Sequence, residues 1–373
     1  MIYFDSAATT FQKPPSVAAA MQTALTTMSS PGRGGYAAAM RAAEVAFDCR
    51  SALADLFHLE NPEQVVFTMN ATHALNIAIK TLVPPGGRVV ISGWEHNAVT
   101  RPLAALRAKV STAQGMLFDR EGAFHSFEQQ INSSVDAVIC THVSNVFGFV
   151  LPVEEIAAVC QERGVPFILD ASQSAGILPI DMAALSLDFA AMPGHKGLYG
   201  PQGTGVLLCG NTNPKPLLEG GTGSLSVQQE MPQFLPDRLE AGTHNIPGIA
   251  GLLEGVRFVR QQRTDRICHH ERLLTQMAAE QLRMLPGVRV YAQPDLANQA
   301  GVLSFSVEGK DVEEIGRALG EREIAVRTGT HCAPLAHRSA GTLDSGTVRL
   351  SFSVWNTADE IKQFLQVMEE ILS

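Results

Sequence analysis

The sequence has no run of basic residues, no closely spaced pair of cysteines and no apolar stretch long enough to cross a bilayer. Each absence removes a class of function. Lysine and arginine number 28 against 37 acidic residues, for a formal net charge of -9, whereas a general nucleic-acid partner needs a basic face. Small anionic ligands stay open, because a few placed donors outweigh a distant negative surplus. Cys49, Cys140, Cys160, Cys209, Cys268 and Cys332 lie far apart, which points to neither a C-x-x-C zinc site nor a redox pair. Cys140, Cys160 and Cys209 sit in apolar runs and read as buried small hydrophobes. Met1-Ile2-Tyr3-Phe4-Asp5 shows no basic region followed by a long apolar segment, so a cytoplasmic location is expected rather than export. No apolar run approaches the roughly 18 residues of a membrane span. Fixed-period repeats and low-complexity tracts are missing too.

What is present is enough chain for two domains: 373 residues, where a single core rarely extends past about 250–300. Short apolar runs at Val65–Thr68, Arg88–Ser92, Asp136–Thr141, Pro166–Asp170, Asp188–Met192 and Gly205–Cys209 read as strands. Helical spacing falls between them at Ala71–Thr81, Val99–Ala108 and Val153–Arg163. That alternation predicts βαβ units and a sheet covered on both faces. After about residue 245 the pattern changes. A long helical stretch, Ile246–Leu285, precedes strands at Gly287–Tyr291, Gly301–Val307, Ile324–Arg327 and Thr347–Ser353, with helices at Val312–Glu321 and Ala358–Leu372. A smaller α+β domain is expected there.

Open α/β sheets bind ligands at the carboxyl ends of their strands. Asp170 ends one such strand, where it either caps a helix or pairs with a protonated ring nitrogen. Farther on, Met192-Pro193-Gly194-His195-Lys196-Gly197 follows another strand. Lysine beside histidine in a glycine-rich turn is either a solvated loop or a covalent site for a carbonyl cofactor. A strand-end aspartate followed by such a lysine is what pyridoxal phosphate needs, one for the ring nitrogen and one for the aldehyde. Ala71 and Thr72 open a helix that can hold phosphate. His96 follows a strand, where its ring either stacks on a planar cofactor or lies in a loop. Asn145 is either a turn residue or a hydrogen-bond partner for a ring substituent.

The order of these motifs resembles that of the cysteine desulfurases in the class V aminotransferase superfamily, near the SufS-like and selenocysteine lyase branch. The resemblance runs nearly end to end. It is carried by Tyr3–Thr10, Phe67–Thr72, Glu95-His96-Asn97, His142–Gly148, Asp170–Ser174, Gly194-His195-Lys196, Glu240–Asn245 and Arg327–Cys332. It implies a pyridoxal-phosphate transferase of fold type I, with a mostly parallel seven-stranded sheet. The implied layout is an N-terminal segment 1–15 packing with the small domain, a large cofactor-binding domain 16–250 and a small domain 251–373. Lys196 would carry the cofactor as a Schiff base and move the substrate α-proton. Asp170 would hold the pyridinium, Gln173 the ring hydroxyl and His96 the ring face. Thr72 and His195 would bind phosphate together with Thr243 of a second subunit, so a homodimer is implied. Arg349 would grip the substrate carboxylate through a bidentate fork, with Asn145 and Arg33 also near the substrate. Cys332 would attack the substrate sulfur as a thiolate, its pKa lowered by a cation such as Arg327 or His331. Gly329 suggests that its loop is mobile.

The chain departs from the family pattern at Pro193, where a phosphate-binding serine is usual; proline lacks both hydroxyl and amide proton. His73 and Gly32 also stand where other residues are common. The expected activity is conversion of L-cysteine to L-alanine with a persulfide on Cys332, and a sulfur-acceptor protein is a candidate partner. Alternatives are a selenocysteine lyase, a cysteine sulfinate desulfinase, a transaminase on the same scaffold, and a catalytically silent binding protein. No metal is expected, because Cys332, His331 and His337 lack a recognised ligand spacing.

Overall fold

The computed structural model describes residues 1–31, 34–210 and 213–373. In chain order its strands are Ile2–Tyr3 (β1), Val65–Thr68 (β2), Arg88–Ser92 (β3), Lys109–Ala113 (β4), Ala137–Thr141 (β5), Phe167–Asp170 (β6) and Phe189–Pro193 (β7). They continue with Gly205–Cys209 (β8), Val288–Tyr291 (β9), Val302–Val307 (β10), Ile324–Ala325 (β11), Arg327–Gly329 (β12) and Thr347–Ser351 (β13).

A seven-stranded sheet runs β2-β8-β7-β6-β5-β3-β4. The pairs from β7 to β4 are parallel, and β8 is antiparallel to both β7 and β2. The expected α/β architecture with a mostly parallel sheet is therefore present. Strands β5, β6, β7 and β8 are buried along their whole length, as strands covered on both faces must be. Alternate residues serve opposite cores: Val138, Cys140 and Leu169 on one face, Ala137, Ile139 and Ile168 on the other. That is the period of two built into a pleated strand. Edge strand β4 (Lys-Val-Ser-Thr-Ala) is mostly exposed, which is why no apolar run announced it.

The second sheet, β12-β13-β10-β9, is antiparallel throughout. Leu303, Phe305, Val348 and Leu350 pack there with Phe4 and Phe364. Phe4 comes from the N-terminus, where β1 pairs in parallel with β11 and Asp5 bridges to Ser351. The long helical stretch is two helices, Ile246–Gln262 and Thr264–Leu282, separated by Arg263 at a left-handed φ of 70°. Leu252, Leu253 and Val256 of the first belong to the core beneath the large sheet, so the 250/251 division falls inside a helix. Likewise the single strand expected over Ile324–Arg327 is two, β11 and β12, in different sheets. Among the described residues no helix is long and apolar enough to cross a membrane.

One buried acid ties the sheet together below the ligand end. Glu95, fully buried, accepts hydrogen bonds from the Thr141 amide at 2.8 Å and from the Ser92 hydroxyl. Its other oxygen has no partner. Burial raises its pKa from 4.5 to about 8. A group whose pKa is raised by folding favours the folded state at low pH, and that contribution fades as pH climbs through the folded value. Wild type is therefore expected to lose stability relative to Glu95→Gln between pH 4.5 and about 8. Melting temperatures of the two proteins across that range measure it; parallel curves would refute a neutral Glu95.

Candidate active site

The carboxyl ends of β5, β6 and β7 open into a cavity of about 730 Å³ that the second sheet covers from one side. Its size lies in the usual range for a small-molecule site. Among its lining residues are Ala71, Thr72, His96, Asn145, Asp170, Gln173, His195, Lys196, Cys332 and Arg349. Every one of these was singled out in the sequence. Arg33 lies outside the described residues. Thr243 does not reach this cavity; it is exposed and lines a neighbouring one of about 230 Å³.

Lys196 sits half-buried in the turn after β7. Burial lowers its pKa to about 8, against the opposing pull of Asp170. The turn requires Gly197, because a Cβ there would lie 2.4 Å from the Ala175 carbonyl oxygen. The N-terminal segment clamps the same turn: Thr10 N–H donates to the His195 carbonyl at 3.1 Å and Lys13 Nζ at 3.0 Å. His195 Nδ1 is buried without a partner, and burial with the two lysines drives its pKa to about 4. A neutral ring with one buried nitrogen unpaired is short of a hydrogen-bond partner.

Asp170 ends β6, 2% exposed, with one oxygen accepting from Ser172 N–H at 2.9 Å. His96 caps the helix Asn97–Ala105, its Nδ1 accepting from Ala98 N–H at 3.0 Å. Burial lowers its pKa, so a neutral ring faces the cavity. Across from Lys196 the helix Ala71–Leu82 begins at Asn70, whose side chain accepts from His73 N–H at 2.9 Å. The first-turn amides of Ala71 and Thr72 have no helical acceptor and point toward the cavity end. Amine, carboxylate, planar ring and helix N-terminus together suit a phosphorylated aromatic aldehyde. Pro193 closes β7 on the same wall, and being proline it adds no donor.

Arg349, in the middle of β13, is 2% exposed. One terminal nitrogen donates to Asp5 Oδ1 at 2.7 Å and the other to the Asn145 carbonyl at 2.9 Å. Asn145 Nδ2 in turn donates to the His331 carbonyl at 2.8 Å. Gln173 spends its Nε2 on the Ala7 carbonyl at 3.0 Å. Each amide nitrogen thus gives one of its two N–H donors to the protein, which leaves the other N–H and the oxygen of each side chain for a ligand.

Cys332 is the one exposed cysteine; the other five are buried, and Cys49, Cys140, Cys160 and Cys209 have pKa values pushed far up by burial. His331 and Cys332 are both left-handed, at φ 49° and 54°, a strain of roughly 1–3 kcal/mol per residue. In this conformation the loop is held at successive carbonyls, His331 by Asn145 and Cys332 by Asn97 N–H at 2.9 Å. Nor is His331 a cation for the thiol. Its ring turns inward to Thr347 at 3.1 Å and stacks on His337 at 5.5 Å. Burial and Arg349 push its pKa down to about 2. Arg327, half exposed, is the charged neighbour on that loop. Among the described residues no cluster of metal ligands occurs.

Three functional side chains received no role in the sequence reading: Asp5, Lys13 and Glu95. Asp5 and Glu95 are charged residues inside motifs already quoted, which was the available signal, whereas Lys13 lies three residues past Tyr3–Thr10.

The lysine pKa near 8 has a kinetic consequence. Imine formation between the apo-protein and pyridoxal phosphate, followed by absorbance, is expected to accelerate through about pH 8. Asp170→Asn should move that midpoint down, since the carboxylate holds the lysine's pKa up. An unchanged midpoint would contradict the coupling.

The Aminotransferase class-V family model matches residues 2–364. A probable cysteine desulfurase of Methanothermobacter thermautotrophicus is 32% identical over 380 residues, covering 99% of this chain and 94% of that protein. One from Pyrococcus abyssi is 33% identical over 384 residues, covering 100% and 94%. Among solved structures, the apo cysteine desulfurase of Thermococcus onnurineus superposes with a TM-score of 0.92 at 32% identity, covering 100% of this chain and 94% of that one. The Escherichia coli cysteine desulfurase CsdA gives 0.88 at 27%, covering 100% and 95%.

Proposed function

The chain belongs to the class V aminotransferase family, and within it we infer that it is a cysteine desulfurase, an enzyme converting L-cysteine to L-alanine with a persulfide left on Cys332. The observation that carries this reading is the exposed thiol of Cys332 on the same cavity as Lys196 and Arg349. A transaminase has no use for that thiol, and a silent binding protein has no use for a lysine with a lowered pKa.

Pyridoxal phosphate fits the donor set and, when bound, supplies an electron sink that stabilises negative charge on the substrate carbons. Lys196 would hold its aldehyde and Asp170 its ring nitrogen. Ala71, Thr72 and His195 would take the phosphate, and His96 would cover the ring. Asn145 and Gln173 would approach the ring through the positions of their amides that the protein leaves free.

The chain's own residues then divide the work. Arg349 orients the substrate through its α-carboxylate with a planar fork held from behind. Lys196, released as an amine with a pKa near 8, takes the α-proton and returns one to the product, a task that suits a base poised near working pH. Cys332 Sγ, as thiolate, attacks the substrate sulfur. The new S–S bond forms as the Cβ–S bond breaks, the electron pair stays with carbon, and a proton completes alanine. Because the thiol is exposed, a sulfur-acceptor protein can reach the persulfide.

The proposal includes a homodimer in which Thr243, exposed beside the helix that starts at Ala71, completes the phosphate site of a second copy. The buried salt bridge of Glu240 with Arg50 at 2.6 Å, and its acceptance of the Phe67 amide, hold that segment in place. It also includes a cytoplasmic location, since an exposed reactive thiol and five unpaired cysteines suit a reducing compartment.

Purified protein given L-cysteine is expected to release alanine and sulfide and to show an imine absorbance band. Lys196→Ala should abolish the band and the activity. Cys332→Ala should keep the band and lose alanine formation by about a hundredfold or more. Full turnover without Cys332 would move the assignment to a lyase that needs no thiol.

A further inference from the structure

The cavity wall that receives the substrate carboxylate carries two guanidinium groups, Arg349 and Arg327. One carboxylate serves both. Asp5 Oδ1 lies 2.7 Å from Arg349 Nη2, and Asp5 Oδ2 lies 3.7 Å from Arg327 Nε. Asp5 is not part of the cavity lining, so it faces the arginines from the protein side while the ligand meets them from the other. Its backbone is immobilised. The Asp5 carbonyl accepts from Ala8 N–H at 3.0 Å and from the Tyr3 hydroxyl at 3.2 Å, and Asp5 bridges to Ser351 of β13. Glu313 also borders the cavity, but it accepts the Thr328 hydroxyl at 2.6 Å and, unlike Asp5, forms no ion pair with either arginine. The wall therefore presents two positive charges and one fixed negative charge, a surplus of one.

We propose that Asp5 is a specificity-determining residue: by neutralising one of the two arginine charges from behind, it fits the site to amino acids with a single carboxylate and an uncharged side chain, such as cysteine. Substrates carrying a second anionic group, such as a sulfinate or β-carboxylate, are disfavoured. The inference rests on the desulfurase reading and narrows its substrate class. Asp5 acts through the arginines and touches no substrate, so it is a positioning residue. Without its charge the wall would carry a surplus of two and would receive a second anion nearly as readily as the first. The 2% exposure of Arg349 makes that balance matter, because charges held away from water are weakly screened.

The test uses the cofactor-loaded protein and reads binding from the cofactor's absorbance, independently of turnover. L-Alanine supplies one carboxylate and L-aspartate supplies two. In Asp5→Asn the ratio of aspartate to alanine affinity is expected to rise about tenfold over wild type, while Asp5→Glu keeps the wild-type ratio. With L-cysteine the Asp5→Asn change should fall more on KM than on kcat. A ratio within about twofold of wild type in Asp5→Asn, or an equal shift in Asp5→Glu, would overturn the proposal. Should Asp5→Asn fail to fold, Arg327→Gln takes the surplus to zero with Asp5 and Arg349 still paired. Alanine should then bind about tenfold more weakly while alaninamide, which lacks the carboxylate, is unaffected; an equal loss for both refutes the charge argument. Absence of alanine formation from cysteine by wild type would instead sink the desulfurase reading and leave the affinity ratio measurable.

Discussion

Burying the guanidinium of Arg349 is the constraint on which the rest of the site depends. An arginine cannot give up its proton, so it must be matched by an anion and by acceptors wherever water is excluded. At 2% exposure the match comes from two remote parts of the chain. Asp5 brings the N-terminus, and the Asn145 carbonyl brings the loop after β5. Asn145 then uses its side chain to hold the backbone of His331, one residue before the exposed thiol. A single buried charge thus joins the N-terminal strand, both sheets and the cysteine loop. Removing either partner of such a pair costs far more than the pair adds to stability, because a lone buried charge remains.

The large sheet supplies the other half of the site. Its parallel strands end on one side, and the chain must turn there before each helix. Those turns are where Asp170, His96, Asn145 and Lys196 leave the apolar layers. The surrounding burial then sets their protonation. It lowers the lysine into the range of a working base and leaves His96, His195 and His331 neutral. The result is a cavity that sets Asp170 and Lys196 at the ends of the large-sheet strands and Arg327 and Arg349 on the wall of the second sheet.

The thiol loop shows how strain and anchoring work together. Two consecutive left-handed residues cost free energy that the loop alone does not recover. The hydrogen bonds from Asn145 and Asn97 to their carbonyls hold the conformation. In that geometry His331 turns inward and Cys332 outward, so neighbours in sequence have opposite environments. Arg327, which lines the same cavity as the thiol, shares Asp5 with Arg349.

Much of this was legible in the chain itself. Apolar runs of strand length marked the inner strands of the large sheet, because strands buried on both faces cannot alternate with polar residues. Polar motifs at their ends marked Lys196, Asp170, His96 and Asn145, because a parallel sheet has only that edge on which to place chemistry. Strand β4 escaped because an exposed edge needs no apolar run, and the break at Arg263 escaped because helical spacing continues on both sides of it. Residue type and order by themselves determined the fold class, the family and the membership of the cavity. Only the tertiary structure decided which way each side chain faces and what it meets: His331 neutral and inward, the amides of Asn145 and Gln173 each donating to a backbone carbonyl, Asp5 set behind two arginines. The physical reason is that burial and charge pairing arise between segments far apart in the chain, 344 positions for Asp5 and Arg349 and 186 for Asn145 and His331, and no local pattern encodes them.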